Sequence, residues 1–350
     1  RHELRKTFTS MMTYAKVQGV DIVLIAGDLF DREFVTRDTV ACVLHEFSSN
    51  PACRFFITPG NHDPYTEGSV YQKVAFPPNV TIFSKEELTR VPIESLQTDV
   101  YGYAFRSPIL EENPFAGKQP TNPDRINILC AHGSFNMPHD RCCPIMPEDV
   151  ADSGFDYYAF GHYHNTDGIH AMGNKWYGYS GCPEGRDFGE TGYKGAVLAT
   201  LSKENGRLKA DFRQLRFSQR RYEILTINLT GLNDSETGYQ MVAEKVQKAG
   251  YESDTILRIV LEGSVAPRAV LSHRKLRTML DGHFFSLEIE DHTLPLFDEE
   301  TLKNDPTLRG AFYAALMPML QSGNSDERET AALALRYGLA AMEGSDLSFD

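Results

Sequence analysis

The sequence predicts an α/β fold, and three observations carry that reading. Two apolar runs rich in branched and aromatic residues, 20–26 and 54–58, alternate with the helical patterns 1–18 and 37–48. A later segment, 222–290, repeats the strand–helix alternation. Several of the apolar runs end in short Gly-containing polar turns. Buried strands alternating with helices build a layered α/β sheet, and such sheets gather ligands at the carboxyl ends of their strands.

The first helix is predicted over 1–18, where Leu4, Phe8, Met11, Met12 and Ala15 fall at helical spacing and Gly19 ends the pattern. The strand 20–26 runs into Gly27-Asp28-Leu29-Phe30-Asp31-Arg32. Thr36 suits the N-cap of a helix over 37–48, with Val40, Val43, Leu44 and Phe47 on its apolar face. The strand 54–58 enters Pro59-Gly60, which must turn, and Asn61, His62 and Asp63 follow on the loop. Short strands are expected at 80–83, 90–92 and 100–105, then a Pro-, Asn- and Gly-rich loop over 108–123. The buried strand 125–130 ends in Ala131-His132-Gly133-Ser134, and 136–147 reads as an irregular surface excursion before a short helix at 147–150. The strand 157–160 ends in Gly161-His162-Tyr163-His164. A strand meander (168–172, 176–180, 196–202, 207–217) surrounds a glycine-rich loop at 181–195.

The character of the chain changes at 218–221. A β-α-β-α-β unit follows, with strands 222–229, 255–262 and 284–290 and helices 235–249 and 267–280. Helices 306–321, shortened or kinked by Pro318, and 325–342 close the chain, exposing Leu308, Phe312, Leu316, Leu333, Leu335 and Leu339. The expected domains are 1–217, 218–293 and 294–350, in keeping with 350 residues being more than one core usually holds.

Net charge is −13 with 41% hydrophobic residues, so the surface is not a general polycation, although a local basic groove stays open. No apolar run approaches the roughly 18 residues of a membrane span. Six cysteines without a C-x-x-C pair point to free thiols in a reducing cytoplasm, with Cys142-Cys143 read first as two loop thiols and second as a redox-active or metal-binding pair. Residue 1 is Arg and the helical pattern is already under way there, which suggests residues upstream.

The Asn61-His62-Asp63 turn sets an amide oxygen, an imidazole and a carboxylate side by side. One can ligate a metal, one can shuttle a proton and one can orient the imidazole. Alone, such a turn is more simply a polar loop with an incidental His. Four strand ends in the order Gly-Asp-x-x-Asp, Gly-Asn-His-Asp, Ala-His-Gly and Gly-His-x-His are a much stronger signal.

On Gly27-Asp28-Leu29-Phe30-Asp31, Gly60-Asn61-His62-Asp63, His132 and Gly161-His162-Tyr163-His164, the chain resembles the calcineurin-like metallophosphoesterases. It is most similar to their bacterial DNA-repair exonuclease branch of SbcD/YhaO-like nuclease subunits. The resemblance spans about 1–217 and implies a four-layer α-β-β-α sandwich, with a small α/β capping domain and C-terminal helices after it. It implies two divalent ions, Mn2+ first with Fe or Zn as alternatives. Such a pair, roughly 3.5–4 Å apart, acidifies a shared water to hydroxide and neutralises the phosphoryl oxygens of a phosphodiester. Asp28 would bridge the ions. Asn61, His132 and His162 would complete one shell, and His164 would reach the second ion. His62 would be the general acid, with Asp63 and Asp31 orienting it and holding its charge. Asp31 reads equally well as a turn cap and Asp63 as a turn residue before Pro64. The other seven histidines (His2, His45, His139, His170, His273, His283 and His292) lack a surrounding motif and read as surface or core residues. Arg186 reads first as a structural ion-pair residue and second as a phosphate holder.

The family's first-strand Asp-x-His motif does not precede Asp28. Asp281-Gly282-His283 matches it in letters but follows a helix, so either the motif lies upstream of Arg1, which the helical start favours, or the chain holds one metal poorly. The expected activity is metal-dependent phosphodiester hydrolysis, as a DNA exo- or endonuclease in DNA repair. The alternatives are a phosphatase or cyclic-nucleotide phosphodiesterase, or a decayed nucleic-acid-binding scaffold. DNA is favoured as the partner by Arg213, Arg216, Arg220 and Arg221 and by Arg268, Arg274, Lys275 and Arg277, although exposed helices carry such residues anyway. The resemblance adds an SbcC-like coiled-coil ATPase. A homodimer is a further expectation, and no membrane partner is expected.

Overall fold

A computed structural model of the chain describes residues 2–31, 35–266, 268–296 and 299–342. It divides into two compact units, Arg1–Arg186 with Gly192–Gln219, and Asp187–Thr191 with Arg220–Asp350.

The first unit opens with α1 (His2–Val17), β1 (Ile22–Ile25), α2 (Arg37–Ser48), β2 (Arg54–Ile57), the short α3 (Val70–Lys73) and β3 (Val80–Ile82). Thr36 caps α2, its hydroxyl accepting from the Thr39 N–H at 3.2 Å. The three strands form a parallel sheet in which Ile25 pairs with Ile57, and Ile57 with Ile82, so their carboxyl ends are level. Side chains alternate across a strand, and β2 shows the consequence. Phe55 and Ile57 pack with Met12, Val43 and Phe47 beneath α1 and α2. Phe56 points the other way, onto Phe83, Ile93 and Val100.

That second face meets a six-stranded sheet built from β4 (Thr89–Ile93), β5 (Thr98–Gly102) and β6 (Ile126–His132), then β9 to β11 below. The excursion expected to be irregular holds a short parallel pair, β7 (Ser134–Phe135) with β8 (Pro144–Ile145), before α4 (Pro147–Asp152). β9 (Tyr157–Gly161), β10 (Gly168–Met172) and β11 (Lys175–Tyr179) complete the sheet in the order β10-β11-β9-β6-β5-β4. Its far face buries Tyr101, Phe155, Tyr158 and Phe160 with Val150 of α4. Helices, sheet, sheet and helix thus stack as the expected four layers. The meander differs from expectation: β10 and β11 join the large sheet, with β11 parallel to β9. β12 (Gly195–Glu204) and β13 (Arg207–Arg216) pair with each other as a separate antiparallel ribbon.

The second unit contains β14 (Arg221–Asn228), α5 (Ser235–Ala249), β15 (Thr255–Glu262), β16 (Ser264–Val265), α6 (His273–Leu280), β17 (Ser286–Asp291), β18 (Leu294–Pro295), α7 (Glu299–Lys303), α8 (Leu308–Leu320) and α9 (Ser325–Met342). β14, β15 and β17 form a parallel sheet. One face, carrying Leu257, Ile259 and Leu261, buries Val242, Val246 and Leu276 of α5 and α6. The stretch 187–191 joins this unit through Phe188, whose ring meets Tyr222 edge-on at 5.2 Å and lies 4.0 Å from the Arg258 guanidinium. The helix expected from residue 267 starts only at His273, because Ser272 caps it and accepts from the Lys275 N–H at 3.3 Å; residue 267 itself lies outside the described residues. α8 runs through Pro318, which sits in its last turn. Of the apolar residues expected at the surface of the last helices, Leu335 and Leu339 are instead buried with Leu302 and Tyr313, whereas Leu308 is 69% exposed. The reason is the close approach of α8 and α9, where Gly338 leaves room for the Phe312 ring.

A buried ion pair fastens α9 to the end of β17. Arg336, 1% exposed, donates to Asp291 Oδ2 at 2.7 Å, and Asp291 Oδ1 also accepts from the Thr293 N–H at 2.9 Å. Burial alone would lift the Asp291 carboxyl, but the Arg336 bond and charge, with Thr293, hold it below the usual carboxylate range. Its stabilising contribution is therefore present at neutral pH and lost as pH falls through the lowered value. Arg336→Met leaves a buried carboxylate unpaired and should cost about 3–5 kcal/mol in urea unfolding of the chain at pH 7. That gap should narrow below pH 3.8, the ordinary Asp value. An equal loss at every pH would show that Arg336 acts by packing alone.

Candidate metal centre

The level carboxyl ends of parallel strands decide which polar residues meet. β6 and β9 are neighbours in register, His132 against Gly161, so the His132 and His162 turns leave the large sheet side by side. In the facing sheet β1 and β2 end together at Ile25 and Ile57, delivering the Asp28 and Asn61 turns. One ligand atom each from Asp28, His132 and His162 lies within 4.8 Å of the others. Asn61 Oδ1 is 2.8 Å from His132 Nε2, and Asp28 Oδ2 is 3.5 Å from it.

The protonation of His132 makes this convergence informative. Its Nδ1 lies 2.8 Å from the Ala26 carbonyl oxygen. A carbonyl can only accept, so Nδ1 carries the hydrogen. Burial holds the His132 imidazole below its ordinary pKa, despite the pull of Asp28 and of the Ala26 carbonyl, so the ring is neutral and Nε2 bears a lone pair. That lone pair faces an amide oxygen and a carboxylate oxygen with no hydrogen to share. Three such groups converging in a half-buried site are an arrangement that suits a cation among them. His162 is likewise held low, chiefly by burial, and offers a fourth donor. One carboxylate, one amide and two neutral imidazoles form a nitrogen–oxygen set that suits a first-row divalent ion, so the residues present fit the metal that the motifs imply.

The backbone is shaped for this approach. Asp28 has φ 53° and His162 φ 115°, both in the region that favours glycine over residues with a Cβ. A Cβ at Gly60 would collide with the Asp28 carboxylate and the His132 ring, and one at Gly161 with the Ala26 carbonyl. Asp63, 6% exposed, locks the two turns together. Its Oδ1 accepts from the N–H groups of Asp28 (3.1 Å) and Gly60 (2.7 Å), and its Oδ2 from the Phe30 N–H (3.0 Å) and the Tyr71 hydroxyl (2.5 Å). Burial pushes the Asp63 carboxyl up, to about 7, against these donors; the Asp28 charge pushes the same way.

The other expected site residues lie as follows. His62 is exposed; its backbone N–H donates to Asp28 Oδ1 at 2.9 Å, and its ring has no hydrogen bond among the described residues. Asp63 spends its described bonds on the Asp28 and Gly60 turns and on Tyr71, with none to the His62 ring. Asp31 is exposed beyond the Asp28 turn. His164 stands outside the three-residue cluster, its Nδ1 3.3 Å from Arg186 Nη2. Asp281-Gly282-His283 ends α6 in the second unit, with His283 Nδ1 3.2 Å from the Leu280 carbonyl oxygen, in a helix-capping role. Cys142 and Cys143 carry free thiols, raised by burial to about 11 and about 12, and so are poorly suited to act as thiolates. Of the basic residues, Arg221 pairs with Glu223 at 2.5 Å and Lys275 with Glu236 at 3.1 Å, while Arg213, Arg268, Arg274 and Arg277 are exposed.

Several supporting residues had no sequence signal. Tyr71 lies on a four-residue helix, too short for periodicity to show. Tyr103 donates to the His132 carbonyl at 2.7 Å, and the Phe105 ring meets His132 edge-on at 5.4 Å. Burial would raise Asp140, yet the Cys142 N–H, Ser134 and the nearby His162 hold it below the usual carboxylate range. Only the folded strand ends bring these residues to the site.

The close packing at Gly60 yields a direct test. Gly60→Ala should force the Asp28 and Asn61 turns apart and weaken Mn2+ binding, measured by titration calorimetry, by about 10–100-fold, as loss of supporting geometry does. Wild-type affinity in that variant would show that the turns do not need this approach.

Comparison with known proteins agrees with the geometry. Residues 2–166 match the family described as Calcineurin-like phosphoesterase. The chain is 29% identical over 286 residues to the uncharacterized metallophosphoesterase YhaO of Bacillus subtilis (strain 168), covering 77% of this chain and 67% of that protein. It is 24% identical over 337 residues to the DNA double-strand break repair protein Mre11 of Sulfurisphaera tokodaii, covering 92% of this chain and 84% of that one. The strand-end motifs, the layered sheets and these matches together establish that the chain carries a calcineurin-like metallophosphoesterase domain.

Proposed function

We propose that this chain is a metal-dependent nuclease that hydrolyses phosphodiester bonds in DNA, in a DNA-repair setting. The observation that carries the reading is the convergence of Asp28, Asn61, His132 and His162 on one point. Similarity to a DNA-repair protein along most of both chains supports DNA as the substrate. Bound divalent ions, Mn2+ first, supply an acidified water and neutralise the phosphoryl oxygens. Asp28, Asn61, His132 and His162 would hold one ion, and Asp28 with His164 would contribute to the second.

His62 is the general acid. It is exposed, its backbone is pinned to Asp28, and its ring is left for substrate. An imidazolium there can give a proton to the leaving alkoxide. Asp63 acts on the turns beneath His62, and Asp31 lies on the exposed side where it can support the charge. The second unit, through residue 293, serves as the substrate cap. Exposed Arg268, Arg274 and Arg277 meet phosphates there by charge, without reading bases. The last helices, with Leu308 exposed, dock a coiled-coil ATPase partner. Six cysteines without a C-x-x-C pair fit a reducing cytoplasm.

With Mn2+, end-labelled DNA and bis-para-nitrophenyl phosphate should be cleaved and para-nitrophenyl phosphate spared. Preference for the monoester would replace the nuclease reading with a phosphatase. His62→Ala should lower turnover by about 10²–10⁴ while leaving metal content unchanged. Loss of metal in that variant would move His62 into the ligand set.

A further inference from the structure

We propose that Tyr71 is a positioning residue for the metal centre, acting through the Asp63 carboxylate. The inference deepens the proposed function and rests on its assignment of Asp28 and Asn61 as ligands. An ionised carboxylate has about four lone-pair sites. Asp63 fills them with four donors: three backbone N–H groups, from Asp28, Gly60 and Phe30, and the Tyr71 hydroxyl. Two of those amides belong to the turn that presents Asp28 and one to the turn that presents Asn61. Asp63 therefore sets the separation of the two turns, and Tyr71 is the only side chain among its described partners.

Tyr71 is built for this role. It is 5% exposed, with its ring between Phe30 (5.6 Å) and Phe76 (6.0 Å), so the hydroxyl has little freedom to turn elsewhere. Without that hydroxyl, Asp63 Oδ2 would keep only the Phe30 amide among its described partners, in a buried site. A buried carboxylate short of a donor rotates toward another. That rotation releases an amide of the Asp28 turn, whose φ of 53° depends on being held. The result at the site is a shifted Asp28 carboxylate and a looser cation.

The test is Mn2+ binding by titration calorimetry on the full chain, with thermal unfolding of the metal-free protein measured beside it. Tyr71→Phe keeps the ring and removes only the hydroxyl, and should weaken Mn2+ binding by about 10–100-fold, as loss of an outer-shell partner does. Phe76→Leu loosens the packing around the same ring but leaves the hydroxyl, and should lower the unfolding temperature with Mn2+ affinity kept. In an Asp63→Asn background, Tyr71→Phe should cause no further loss of affinity. Unchanged affinity in Tyr71→Phe, an equal loss in Phe76→Leu, or an undiminished effect in the Asp63→Asn background would each overturn the proposal. Wild-type chain that binds no Mn2+ would sink the reading of the site itself, and this inference with it.

Discussion

The hydrogen bond from His132 Nδ1 to the Ala26 carbonyl, 2.8 Å long, is the contact on which the rest of the site depends. It joins the end of β6 in the large sheet to the end of β1 in the small one. By occupying Nδ1 it fixes the tautomer and turns the Nε2 lone pair toward Asn61 and Asp28. A second bond of the same kind, from the Thr58 hydroxyl to the Cys130 carbonyl at 2.9 Å, joins β2 to β6 just beneath. The two sheets are therefore pinned together at the edge where their polar turns emerge. The apolar layer of Phe56, Phe83, Ile93 and Val100 holds them face to face.

Close approach of this kind constrains the backbone. Gly60 and Gly161 sit where any side chain would strike Asp28, His132 or the Ala26 carbonyl. Asp28 and His162 bear the complementary cost, with positive φ at residues that are not glycine. Such conformations persist only where the surroundings over-determine them, at roughly 1–3 kcal/mol each. Here the Asp63 carboxylate supplies that determination for Asp28. Its four donors convert two flexible turns into one unit, and the same burial that makes the carboxylate costly to ionise makes each donor count.

The second unit follows separate rules. Its parallel sheet buries one face on α5 and α6, and a charged contact, Arg336 with Asp291, anchors the last helix. The two basic groups that the sequence offers for phosphate are divided in the fold. Some are engaged by Glu223 and Glu236, and others stay exposed. Spacing along a strand or helix reveals that a charge is present, but its partner comes from another element.

The sequence by itself determined the α/β class, the main strands and helices of both units, and the four polar turns that hold Asp28, Asn61, His132 and His162. Those features are local: apolar periodicity, capping residues such as Thr36, and glycines where strands must turn. Tertiary structure alone decided that Asp63 serves the Asp28 and Asn61 turns, that Tyr71 completes its donor set, and that β12 and β13 leave the large sheet. It also decided that Leu335 and Leu339 are core residues. Each of these outcomes depends on which groups lie across a layer from one another, and a hydrogen bond or apolar contact between distant segments leaves no periodic trace in either segment alone.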